Sequence, residues 1–96
     1  MFKVGARLKI GAVVLSDLEK AIEASGVDKV YVVDNWKEAL KVIEEVVNKK
    51  EVDLLLIDDV LARQIGKGKL SEIKYKSPLP AIIELETNRI KKPLSS

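Results

Sequence analysis

The chain has 96 residues, with 17 Lys and Arg against 15 Asp and Glu for a formal net charge of +2, and it contains neither Cys nor His. That length holds one small domain, and 47% apolar with 33% charged residues is the balance of a folded globular chain rather than a disordered one. The missing residue types exclude disulfides, thiol nucleophiles, thiolate or His-ligated metal sites and any Ser-His-Asp triad, and so small a net charge leaves no electrostatic footprint for nucleic acid or an anionic membrane surface.

Leu8–Leu15 (Leu-Lys-Ile-Gly-Ala-Val-Val-Leu) reads as a strand buried on both faces, interrupted only by Lys9. Ser16 with Glu19 three residues on has the form of a capping box. Leu18, Ala21, Ile22 and Ser25 then recur at helical spacing, and Gly26 suits the left-handed stop. Val30–Val33 is a second β-branched run and a second buried strand. Asn35 opens the clearest helix, with Glu38 at its third position. Trp36, Ala39, Leu40, Ile43, Val46 and Val47 take its apolar stripe, and Lys37, Lys41, Glu44, Glu45 and Lys49 its polar face.

Asp53–Asp59 is a third strand with an acidic end, and Asp58 or Asp59 caps a short helix through Val60, Leu61, Ala62 and Ile65. Gly66-Lys67-Gly68 breaks that helix, and Leu70 and Ile73 fit a further helical turn. Pro78-Leu79-Pro80 is a stiff approach to a fourth strand, Ala81–Glu86, whose later alternation suits a sheet edge. The order β-α-β-α-β-α-β predicts an α/β fold. A parallel four-stranded sheet in the order 2-1-3-4 carries helices on both faces, flavodoxin- or receiver-like. Residues 1–88 form this domain and 89–96 a tail.

The strands end in Ser16-Asp17, Asp34-Asn35, Asp58-Asp59 and Thr87-Asn88, and ligands of such sheets sit at that edge. A phosphoacceptor receiver domain keeps Mg²⁺ and phosphate there. Asp17, Asp58 or Asp59, and Thr87 could take those roles, with the carboxylates as hard oxygen ligands. Helix capping accounts for the same residues more simply, because each strand-to-helix turn needs a cap. A receiver also has a pair of acids after its first strand and a Lys after a fifth, where this chain has Ser16-Asp17 and only Lys91 and Lys92 close behind Thr87. Gly66-Lys67-Gly68-Lys69-Leu70 lacks the spacing and the Lys-Ser/Thr ending of a P-loop. Lys67, Lys69, Lys74 and Lys76 have only Tyr75 as an interleaved aromatic, short of a nucleic-acid surface. Trp36 packs against the sheet or staples the helix start, or else anchors a partner. Tyr31 belongs to the core, where its hydroxyl needs a partner. No nucleophile-base pair, metal cluster or paired carboxylate marks an active site, so no catalytic residue, metal or cofactor is expected.

Three segments resemble the F subunit of the archaeal A-type and V-type ATP synthases. Gly26–Asn35 followed by Glu38-Ala39-Leu40 is similar to that family's "AGV-EVY-V" and "EEAL" helix. Val52–Ala62 is similar to its third strand and helix, and Lys76–Leu85 (Lys-Ser-Pro-Leu-Pro-Ala-Ile-Ile-Glu-Leu) to its "KSPLPAIIEIP" segment. The family's first helix carries a Gly-Phe-Arg that Leu18–Val27 lacks, and past the last strand it has a linker and helix where Thr87–Ser96 stand here. The resemblance implies a non-catalytic rotor component of the central stalk. It would bind the stalk's coiled-coil D subunit inside the A/B catalytic ring, be cytoplasmic, and meet the membrane only through the complex.

The partner surface expected is the end of the fourth strand and the tail: Glu84, Glu86, Arg89, Ile90, Lys91 and Lys92. An uncovered edge strand needs protection or a partner, and the tail is basic with apolar Ile90 and Leu94.

Overall fold

The computed structural model describes residues 8–87. The elements are β1 (Ile10–Leu15), a 3-10 turn (Ser16–Leu18), α1 (Glu19–Ala24), β2 (Lys29–Val33), α2 (Trp36–Lys49), β3 (Leu54–Asp58), α3 (Asp59–Ile65), α4 (Lys67–Lys76) and β4 (Ala81–Leu85). The four strands form one parallel sheet in the order β2-β1-β3-β4, as the alternating pattern predicts. Val13 of β1 pairs with Tyr31 of β2 and Ile57 of β3, and Leu55 of β3 pairs with Ile82 of β4.

Alternation in this register sorts the apolar side chains onto two faces. Val13, Val33, Leu55, Ile57 and Ile82 point to the face covered by α2 and α3. There they bury Ala39, Ile43, Val46, Val47, Leu61 and Ala62, with Leu70 and Ile73 of α4 behind them. Ala12 and Val14 point the other way, onto Leu18 and Ile22 at α1, with Val27, Val30, Leu56 and Leu85 partly buried around them. Each fully buried Leu, Ile or Val contributes about 1.5–3 kcal/mol, so most of the core's free energy lies on the α2 side.

The packing around Gly11 of β1 is tight. A Cβ there would lie 3.1 Å from Val52 Cγ1 and 3.2 Å from Tyr31 Cε2. α2 is the helix the sequence announces. Asn35 accepts from the Glu38 amide at 2.9 Å, the Glu38 carboxylate accepts from the Asp34 amide at 2.7 Å, and Lys50 ends the helix in the left-handed region at φ 52.

Several expectations change. The capping box at Ser16 does not form: the chain enters the 3-10 turn directly, and Leu18, in helical rather than extended backbone, stands before α1 with no side-chain cap. Gly66 alone, at φ 99, separates α3 from α4, and Gly68 lies inside α4. β1 starts at Ile10 instead of Leu8, which is 60% exposed. β2 is an edge strand, and its Val32 is 39% exposed rather than buried. The expected boundary at residue 88 and the tail 89–96 lie outside the described residues.

Candidate functional site

The carboxyl ends of the strands hold the acidic residues singled out by the sequence, and the structure shows what they bind. Asp58 is fully buried. One of its oxygens accepts from the Val60 amide at 3.0 Å, capping α3, and the other from the Leu15 amide at 3.1 Å, across the sheet at the end of β1. Asp59, the first residue of α3, takes Thr87: the hydroxyl donates to Asp59 Oδ1 at 2.9 Å and the Thr87 amide to Oδ2 at 3.4 Å. Asp17 lies exposed in the 3-10 turn, and the residues that stand before that turn and before α1, Leu15 and Leu18, offer no side-chain cap. The capping reading therefore holds for Asp58 and for Asn35, and fails for the turn after β1. Among the described residues, no group of three or more Asp or Glu is arranged to hold a metal ion.

The opposite ends of the strands use two further aspartates that local patterns do not reveal. Asp28 donates its amide to the Ile10 carbonyl at 2.8 Å and accepts from the Ile10 amide at 2.7 Å. Asp53 donates to the Lys9 carbonyl at 2.8 Å and accepts from the Lys9 amide at 2.8 Å. The start of β1 is thus clamped from both neighbouring loops, and its backbone groups are satisfied before the ladder begins. Tyr31 donates to Glu51 Oε1 at 2.8 Å, while Lys29 Nζ lies 3.9 Å from the same carboxylate. Burial first, then the hydrogen bond and negative charge of Glu51, hold the Tyr31 phenol well above its ordinary range. This is the partner its hydroxyl needs. Trp36 is half-buried against the α2-side core, with Lys37 Nζ 5.8 Å from its ring centroid.

Two hollows mark the surface. One, of about 230 Å³, lies between α2 and α4. Its charges are matched within the chain: Lys69 reaches Glu44 at 3.8 Å and Glu72 at 3.6 Å, and Lys76 reaches Glu72 at 3.4 Å. The hydrogen bond from Lys76, followed by the charges of Lys69 and Lys76, lowers the pKa of the exposed Glu72 carboxyl. The other hollow, of about 300 Å³, is apolar and lined by Leu8, Val52, Leu79 and Pro80 beside Lys50 and Asp53. Neither presents a nucleophile with a base.

The expected partner residues fall partly in view. Glu84 lies in edge strand β4 and Glu86 just beyond it, both exposed. Arg89, Ile90, Lys91 and Lys92 lie outside the described residues. Sequence reasoning misses the apolar surface beside them: Ile83 is 50% exposed, and Leu54, Leu56 and Leu85 on the same side of the sheet are only half-buried. Its one signal is Leu54-Leu55-Leu56-Ile57, which is apolar on both alternating sets, but nothing local says which set stays uncovered.

Among the described residues, Asp28, Asp53 and Asp58 hold strand ends through backbone amides, and Asn35 caps α2. The sequence family described as the ATP synthase (F/14-kDa) subunit matches residues 10–94. The chain belongs to that family. It is therefore a component of a rotary ATP synthase, in a family of accessory rather than catalytic subunits, and other subunits of that complex are its partners. Comparison with curated proteins and with solved structures finds no match. Among the described residues, no helix is long and apolar enough to cross a membrane.

Proposed function

We propose that this member of the F-subunit family works in the central stalk of an archaeal A-type or V-type ATP synthase. It binds the stalk's coiled-coil D subunit, turns with it inside the A/B ring, and helps couple rotation to ATP synthesis or hydrolysis at sites on other chains. It performs no catalysis itself, and it is cytoplasmic, reaching the membrane only through the assembly. The family match over residues 10–94 carries this reading. The hydrogen bonds of Asp58 to backbone amides and of Asp59 to Thr87 agree with it, because those groups act as braces. A stiff domain suits a part that transmits torque. Its contacts are proposed at the end of β4 and beyond: Glu84, Glu86, Arg89, Ile90, Lys91 and Lys92.

Titration of the full chain with the purified coiled-coil partner tests the proposal. Saturable equimolar binding, and no ATP turnover by the chain alone, are expected. Absence of binding at micromolar concentration, or ATP hydrolysis by the isolated chain, would overturn it.

A further inference from the structure

Helix α4 carries Lys67, Lys69, Lys74 and Lys76 against the single carboxylate of Glu72, and its register sorts these charges. At about 3.6 residues per turn, Leu70 and Ile73 share the inward side, where both are buried. Tyr75 lies opposite them and is 88% exposed, with the exposed Ser71 one turn before it. On one flank of Tyr75 the charges cancel. Lys69 reaches Glu44 of α2 at 3.8 Å and Glu72 at 3.6 Å, and Lys76 reaches Glu72 at 3.4 Å. Lys67 and Lys74, two turns apart and so on one line along the helix, lie on the other flank. Both are exposed, and among the described residues neither is within ion-pair distance of a carboxylate.

A lone surface aromatic needs no explanation. One bounded on a flank by two unmatched cations has the make-up of a binding anchor, because Tyr brings a large ring and a hydroxyl at low entropic cost and is enriched where interfaces concentrate their energy. Charge gives the partner's character. An anionic membrane is met by clusters of about four or more Lys or Arg, and single-stranded nucleic acid by several aromatics in series. Two unmatched lysines and one tyrosine match neither, and they complement an acidic protein surface. We infer that the outer face of α4 docks on an acidic surface of another chain of the complex, which receives Tyr75 and sets Asp or Glu against Lys67 and Lys74. This is a second contact, separate from the one proposed at the end of β4. It needs only membership of the complex, and it stands whether or not the coiled coil docks at β4.

The test uses the full chain, reassembled into ATP synthase depleted of it. Tyr75→Ala should weaken incorporation at least about tenfold, the loss typical of a central anchor. Its denaturation midpoint should not change, because so exposed a ring supports little of the fold. Lys67→Glu with Lys74→Glu should weaken incorporation and reverse its salt dependence, since added salt then screens a repulsion instead of an attraction. Lys20→Glu, exposed on α1 at the other face of the sheet, should leave incorporation unchanged. A photo-crosslinking phenylalanine in place of Tyr75 should join, in the assembled complex, to a segment of another chain that carries Asp or Glu. If Tyr75→Ala and the paired lysine reversal assemble as tightly as the unaltered chain, or if the crosslinker meets no other chain, the inference falls. It falls equally if Lys20→Glu weakens assembly as much, because net charge alone would then explain the effect. Crosslinking to lipid, to nucleic acid or to a segment without Asp or Glu would overturn the acidic protein partner.

Discussion

The two faces of the sheet do different jobs. The α2 face is closed: Val13, Leu55 and Ile57 are fully buried under Ile43, Val46 and Leu61. Among the described residues the α1 face is closed only over β1 and β2, and its β3–β4 half leaves Leu54, Leu56, Ile83 and Leu85 partly exposed. A small domain cannot spread its stability evenly when one side must stay open. Here stability is concentrated on one side, so the other can remain apolar without loss of the fold.

Paired truncations break or sharpen that contrast most strongly. Leu55→Ala, on the closed face, should destabilise the chain by about 2–5 kcal/mol, whereas Ile83→Ala on the open one should stay within about 0.5 kcal/mol. Denaturant midpoints check both, and equal losses would erase the distinction. Next in size is Asp58→Ala, which removes the acceptor for two amides and should cost about 1–3 kcal/mol for each one left unsatisfied. A near-silent Asp58→Ala would mean that this buried carboxylate is kept for something other than holding β1 to α3. Asn35→Ala should cost about 1 kcal/mol through loss of the α2 cap, and Ser16→Ala much less, because the Ser16 side chain caps no helix.

The smallest effect concerns pH. The Tyr31 phenol keeps its proton in the folded chain above its ordinary value of 10.0. The folded state thus binds that proton more tightly than the unfolded one. Its contribution is complete below about pH 10 and is lost as pH rises beyond that. Unfolding followed from neutral to strongly alkaline pH should show stability declining only above that point, and Tyr31→Phe should flatten the decline.

Much of this architecture is legible in the sequence because it is local. The α2 stripe, its Asn35 cap and the β-branched runs each fit one periodicity, and together they imply the strand order. What is not legible depends on distant partners. Ser16 and Glu19 have the spacing of a capping box, yet the backbone turns too tightly after β1 to use it. Asp28 and Asp53 look like ordinary loop acids until β1 is seen between them. Asp58 and Asp59 are adjacent in sequence, but one is buried beneath β1's last amide and the other holds Thr87. The β3–β4 strip is illegible for the same reason: β3 is apolar on both sides, and only the placement of helices shows which side no described residue covers.

The most direct measurement is a spectrum of the chain with labelled Leu and Ile methyls, recorded while the coiled-coil partner is titrated in. Shifts at Leu54, Leu56, Ile83 and Leu85, with Ile43, Leu55 and Leu61 unmoved, are the expected result. Shifts confined to the α2 side, or none at all at saturating coiled coil, would contradict a stalk protein that meets its partner at the end of β4.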